Sequence, residues 1–321
     1  MQDFKYFKKI ISKNILFMMI LVLLLVGVSE RIVNLMVAND SYVLDRNKSI
    51  FRILREPENS VDIIVLGDSL GMTSISPMAW WGDYGMTGYV CGQTGQRMQE
   101  AFHMLQAAYE TQSPKLVILE TNMVFRCKNL SSEVKDCLGE IGYRYIPIFQ
   151  GHDIWKSMLS EKQYPAENYK GFAFRCETVP YEQGEYMQKN DQKEEISKIV
   201  SFYLEKIRKL CEKNGTKLLL VSTPSPINCN YARHNSIEAY AREKGLDFLD
   251  LNLKTEESLD NGDHLNYSGA DKVTRYLGNY LTQNYTFPDH RGEKTYRTWD
   301  KEYKIYEQKA VREMKVIKKA G

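Results

Sequence analysis

Short apolar runs, too brief for buried helices, recur along this chain and are separated by longer amphipathic stretches. Val61 to Leu66 is apolar except for Asp62 and ends in Gly67. Lys115 to Glu120, Lys217 to Ser222 and Asp247 to Leu251 repeat the pattern, and Gly88 to Cys91 gives a weaker version. A run of four to six residues that is apolar on both faces reads as a strand covered on both sides, which is the habit of parallel sheets. Between and after the runs lie helical patterns at Gln96 to Tyr109, Glu194 to Cys211, Ser236 to Lys244 and Gly269 to Leu281. The second of these places Ile196, Ile199, Val200, Tyr203, Leu204, Ile207 and Leu210 on one face. Strands alternating with helices predict an α/β fold: an open, mostly parallel sheet in a three-layer sandwich.

The N-terminus departs from this rhythm. Lys5, Lys8, Lys9 and Lys13 precede an uncharged apolar run from Ile15 to Val28, and apolar residues to Val37 extend it past Glu30 and Arg31. Flanking lysines on one side of such a run give the positive-inside pattern. The organisation expected is a cytoplasmic N-terminus at 1–14, a transmembrane signal anchor at 15–37 and a juxtamembrane linker at 38–59. The domain at 60–285 is expected to lie outside the cytoplasm and to carry an insertion at about 126–193, rich in Tyr, Lys, Glu and Gly. A charged, aromatic tail at 286–321 ends in a helix with a basic end. A cleaved signal peptide is the rival reading, although no A-x-A-like site is present.

Composition narrows the partners. At 321 residues, 43% hydrophobic and 26% charged, the chain can build one large domain, and a net charge of +2 without a basic block argues against nucleic acid. The six cysteines (Cys91, Cys127, Cys137, Cys176, Cys211, Cys229) follow no CxxC or Cys/His spacing, so neither a metal nor any other cofactor is implied. Cys127 and Cys137 form the most local pair for a disulfide, with isolated thiols the alternative.

Two segments carry chemistry. The first strand runs into Gly67, Asp68, Ser69 and Leu70, which puts a serine hydroxyl at the carboxyl end of a parallel strand, the edge where open α/β sheets bind ligands. Far along the chain, Asp260, Asn261, Gly262, Asp263, His264, Leu265 and Asn266 precede a closing helix. A hydroxyl nucleophile needs an imidazole to take its proton, and the imidazole needs a carboxylate to fix its tautomer. This loop supplies His264 together with Asp260 and Asp263.

With these residues in view, the chain from Ile63 to about Leu281, the insertion excepted, resembles the SGNH (GDSL-type) hydrolase superfamily. GDSL at 67–70 matches its first motif and DHLN at 263–266 its last. The resemblance implies a flavodoxin-like three-layer α/β/α sandwich, Ser69 as nucleophile and His264 as base. The superfamily's last motif reads D-x-x-H, whereas Asn261 stands three residues before His264. The orienting carboxylate is then Asp260, through a loop longer by one, or Asp263, which needs no shift of register. The resemblance also implies an oxyanion hole formed by the Ser69 N–H, Gly95 in the CGQTGQ stretch at 91–96 and Asn122 in ETN, although the glycines that usually flank that asparagine are absent.

Within the superfamily the chain is similar to membrane-anchored bacterial proteins of teichoic-acid D-alanylation and polysaccharide O-acetylation. That likeness rests on the N-terminal anchor, SISP at 74–77, Trp80 and Trp81, and the D-H-L-N-x-x-G ending. It implies a serine esterase or O-acyltransferase acting on acylated envelope polysaccharide or teichoic acid, with a membrane-bound acyl-donor protein as partner. Asn230, Arg233 and His234, which follow another strand's carboxyl end, are candidates for lining the substrate pocket. Two alternatives stay open: a catalytically silent module that binds polysaccharide and scaffolds a modification complex, and a cleaved, secreted esterase of small molecules.

Overall fold

In the computed structural model, which describes residues 2–38, 48–126, 130–146, 159, 169–179, 181–253 and 263–320, the five expected strands form one sheet. They are β1 (Ile63–Gly67), β2 (Gly88–Gly92), β3 (Leu116–Glu120), β4 (Lys217–Ser222) and β5 (Asp247–Asp250). All pairings are parallel, in the order β2-β1-β3-β4-β5. Every residue of β1, β2 and β3 is buried, as the apolar runs required. The chain moves from β1 outward to β2 and then returns past β1 to β3. The carboxyl ends of β1 and β3 therefore flank the topological switch point, where such sheets open a crevice.

Two units divide the chain. The larger comprises residues 45–133 and 167–321. Its helices are α2 (Lys48–Ile53), α3 (Ser69–Ser74), α4 (Pro77–Tyr84), α5 (Met98–Ala108), and, after an intervening helix α6 described below, α7 (Lys198–Lys213), α8 (Tyr231–Lys244), α9 (Tyr267–Asn284) and α10 (Arg297–Ala320). Helices α5 and α7 pack on one another, α8 packs against β5, and α9 packs against α3 and α4; the right-handed crossover rule for parallel strands accounts for two helical layers. Helix α7 buries Val200, Tyr203, Leu204, Ile207 and Cys211, the spacing read from the sequence, and Ser197 caps its first turn by accepting from the Val200 N–H. Trp80 of α4 is fully buried and donates its indole N–H to the carbonyl of Thr274 on α9 at 3.0 Å. Gly278 makes that close approach available, since a Cβ there would lie 2.7 Å from the Tyr84 ring.

The C-terminal tail belongs to the core of this unit. Trp299 of α10 is fully buried, its ring centroid 5.5 Å from that of Trp81, and Tyr306, Ala310 and Ile317 continue the buried stripe. Lys170, also buried, forms ion pairs of 2.7 Å with both Glu56 and Glu302 and lies over the Trp299 ring. Beside it, the Tyr169–Phe172 turn caps the sheet edge, the Val90 N–H donating to the Lys170 carbonyl at 2.8 Å. Gly171 in this turn has φ +85°, and a Cβ there would fall 2.1 Å from the Val90 carbonyl oxygen. Gly171→Ala is expected to lower stability by about 2 kcal/mol or more, because both the backbone and its neighbour must move; urea unfolding measures the loss.

The smaller unit comprises residues 1–44 and 134–166. It holds α1 (Gln2–Ala38) and most of α6 (Leu130–Tyr145). The stretch Ser12–Ala38 is long and apolar enough to cross a membrane, and most side chains from Ile15 to Val28 are exposed. Helix α6 shows that the segment read as irregular contains sixteen residues of helix. Its mean hydropathy and weak patterning hid it: the exposed Val134, Leu138 and Ile141 are diluted by Lys, Asp, Glu and Gly. Among the described cysteines Cys91, Cys176, Cys211 and Cys229 are free thiols, whereas Cys127, and with it the Cys127–Cys137 pairing, lies outside the described residues.

Candidate active site

The turn between β1 and α3 is built from glycines. A Cβ on Gly67 would come within 3.0 Å of the Gly71 Cα and 3.2 Å of the Glu120 Cβ, so G-D-S-L-G lets helix and neighbouring strand close on one another. Asp68 caps α3 by accepting from the Leu70 N–H at 2.8 Å, which leaves Ser69 as the first helical residue, half-buried at the sheet's carboxyl edge. Its Oγ lies 2.8 Å from Nε2 of His264, across 195 residues of sequence.

The histidine's loop is held at both ends. The carbonyl of Asp263 accepts from the Ser225 hydroxyl at 2.6 Å and from the Asn228 amide at 3.4 Å, and Asn266 caps α9 by accepting from the Gly269 N–H. Leu265 is buried between them. Oδ2 of Asp263 stands 2.8 Å from Nδ1 of His264, but off the N–H axis, so Nδ1 is buried with a charge beside it and no aligned hydrogen bond. The Asp263 side chain is 44% exposed. Asp260 lies outside the described residues.

Asn122 leaves β3 on a 3-10 turn (Thr121–Phe125) and meets the serine turn from the other side of the switch point. Its Nδ2 donates to Asp68 Oδ2 at 2.7 Å, and its N–H donates to Glu120 Oε2 at 3.1 Å. An amide nitrogen carries two hydrogens, so the bond to Asp68 fixes the side chain and leaves one donor for the cleft. Arg126 completes the support, Nε and Nη2 both reaching Asp68 Oδ2, at 3.1 and 2.8 Å. Beneath them Glu120 is fully buried, and desolvation together with the Asp68 carboxylate drives its pKa well above the ordinary range. If Asn122 donates to a developing oxyanion, Asn122→Ala should reduce kcat about 10²- to 10³-fold with a smaller change in KM; steady-state hydrolysis of a chromogenic acetyl ester reads both.

Gly95 sits in the turn between β2 and α5 with φ +67°, a conformation suited to glycine, and nothing lies within 4 Å of where its Cβ would be. The register Gly67↔Gly92 makes this turn leave the sheet beside the serine turn. Asn230, Arg233 and His234 border a crevice at the ends of β3, β4 and β5 of about 10 Å³, room for one water-sized group. Each has a polar side-chain atom engaged within the protein. Asn230 caps α8, Arg233 pairs through Nε and Nη2 with both Glu194 oxygens at 2.8 and 3.0 Å, and Nδ1 of His234 lies 2.7 Å from Asp250 Oδ2. Sequence reasoning passed over Asp68, Arg126 and the pinning pair Ser225 and Asn228. Gly71, four residues after Gly67, was the available sign of the close packing at the first turn.

Among the described residues no group of three or more His, Cys, Asp or Glu side chains is placed to hold a metal ion. No family model and no curated protein matches the chain. Among solved structures it is similar to a Bacteroides fragilis protein provisionally described as an acylhydrolase (12% identity, TM-score 0.37, covering 75% of this chain and 97% of that one). It is also similar to a GDSL-like lipase from Bacteroides thetaiotaomicron (12%, 0.31, 68% and 88%). A third, from Streptococcus pneumoniae and provisionally described as a platelet activating factor, shares 14% (0.34, 74% and 92%).

Proposed function

We propose that this chain is a serine-dependent acyl-ester enzyme, an esterase or O-acyltransferase of cell-envelope glycopolymers, held at the membrane by α1 with its catalytic unit outside the cytoplasm. The observation that carries the reading is the 2.8 Å contact between Ser69 Oγ and His264 Nε2 at the switch point. Ser69 attacks the acyl carbonyl while His264 takes the hydroxyl proton, and the charge gathering on the carbonyl oxygen is assigned to the Ser69 N–H, the Gly95 N–H and the Asn122 amide as its donors. Collapse breaks the ester bond, His264 returns the proton to the departing alkoxide, and the acyl group stays on Ser69. Water or a sugar hydroxyl, deprotonated by the same imidazole, then releases it. A donor protein in the membrane would supply acyl groups in the transfer version of this cycle. The lysines in the first turns of α1 and the apolar length of Ser12–Ala38 support the anchored topology.

A fluorophosphonate probe tests the chemistry. Labelling of the wild type that disappears in both Ser69→Ala and His264→Ala is the expected result. Absence of labelling in the folded wild type would instead favour the silent polysaccharide-binding module, for which the unaligned Nδ1 of His264 speaks. Comparing the esters on envelope polymers from cells with and without the protein, by mass spectrometry, then identifies the acyl group and its carrier.

A further inference from the structure

Helix α10 packs one stripe into the core, at Trp299, Tyr306, Ala310 and Ile317, and turns the opposite stripe to solvent. That outward stripe follows three- and four-residue steps through Arg297, Lys301, Lys304, Gln308, Arg312, Lys315 and Lys319, all exposed and all but Gln308 cationic. None of the six cations makes an ion pair among the described residues. The helix's acids stand elsewhere: Glu302 pairs with buried Lys170, Glu313 with Lys309, and Asp300 and Glu307 share a stripe of their own. Ile305 and Val316 flank the row of cations on one side and Val311 on the other, 58%, 51% and 51% exposed.

A row of cations without an acid on its stripe, about 33 Å long from Arg297 to Lys319, suits an extended anionic partner. The exposed aliphatic side chains decide which. Against a soluble polyanion they would stay wet, whereas at a bilayer they enter the boundary between headgroups and acyl chains while the lysines reach the phosphates. Chain length agrees with this. Only residues 39–47 separate α1 from α2 in the sequence, and nine residues extend at most about 30 Å, so an anchor at α1 keeps the catalytic unit near a lipid surface.

We propose that the outward face of α10 is a docking surface for anionic phospholipid, a second membrane contact that rests on the reading of α1 as an anchor. The anchor holds this face at high effective concentration beside the bilayer, so that a contact weak in itself is populated.

The test uses the full chain in nanodiscs of phosphatidylcholine alone or mixed with phosphatidylglycerol, with lysine acetylation followed by mass spectrometry. Acetylation of Lys301, Lys304, Lys315 and Lys319 should be slowed in the anionic discs only, while the exposed Lys213 reacts alike in both. The protection should fade with added salt and fall about fivefold for each charge removed in Arg297→Gln and Arg312→Gln. Equal acetylation in the two discs overturns the proposal. So does protection that appears only when a soluble polyglycerol phosphate is added, which would assign the face to a polymer. Protein that elutes apart from the discs removes the anchor reading, and its flotation with phosphatidylglycerol vesicles then decides the face alone: flotation upholds it and sedimentation overturns it.

Discussion

Ser69→Ala is expected to lower kcat by about 10⁶-fold on an acetyl ester while leaving the urea midpoint of the protein unchanged. The hydroxyl contributes no core volume. Its residue is half-buried at the first position of α3, and the cap that holds that helix is the Asp68 side chain, which the substitution leaves in place. His264→Ala should cost nearly as much, and the double variant little more than either alone, since groups that act as one unit lose their joint effect when either is removed. Additive losses, or a Ser69→Ala protein with activity within tenfold of the wild type, would remove the nucleophilic mechanism.

The second large effect concerns the carboxylate behind the imidazole. Asp263→Asn is expected to reduce kcat about 10⁴-fold with the fold retained, because an amide neither selects the productive tautomer nor stabilises the imidazolium. Asp263 already brings an oxygen to 2.8 Å from Nδ1, and its half-exposed side chain has room to rotate onto the N–H axis when substrate closes the cleft. Asp260→Asn should then be mild. The opposite pattern of rates assigns the role to Asp260, and a loss below about tenfold in both reduces the machinery to a Ser/His dyad. Rates from single-turnover acylation separate these outcomes without interference from deacylation.

The sheet was legible in the sequence because its strands are buried on both faces, so that Ile63 to Leu66, Leu116 to Leu119 and Leu218 to Val221 stand out as unbroken apolar runs. Strand ends and helix ends shifted by a few residues, as with the expected Gln96 start against the observed Met98. The Ser69–His264 contact was legible for a chemical reason: a serine at a strand's carboxyl edge and a histidine beside acids before a closing helix meet only if the sheet is parallel. What stayed hidden depends on tertiary context. No periodicity tells that Arg126, read as the start of an insertion, turns back to Asp68, or that Asn122 spends one of its hydrogens on the same carboxylate. The tail was read as an appendage because its charges outnumber its aromatic residues, while Trp299 and Tyr306 alone decide where it packs.

Lys170 gives that last point a temporal meaning. Its ammonium draws Glu56 from the beginning of the larger unit and Glu302 from α10, beneath the ring of Trp299. Until α10 has been synthesised, the buried cation has half its counter-charge and Trp81 lacks the ring that covers it. An ion left part-compensated in an apolar site destabilises everything packed around it. The larger unit therefore completes its native packing only once α10 has docked, however early its sheet has formed.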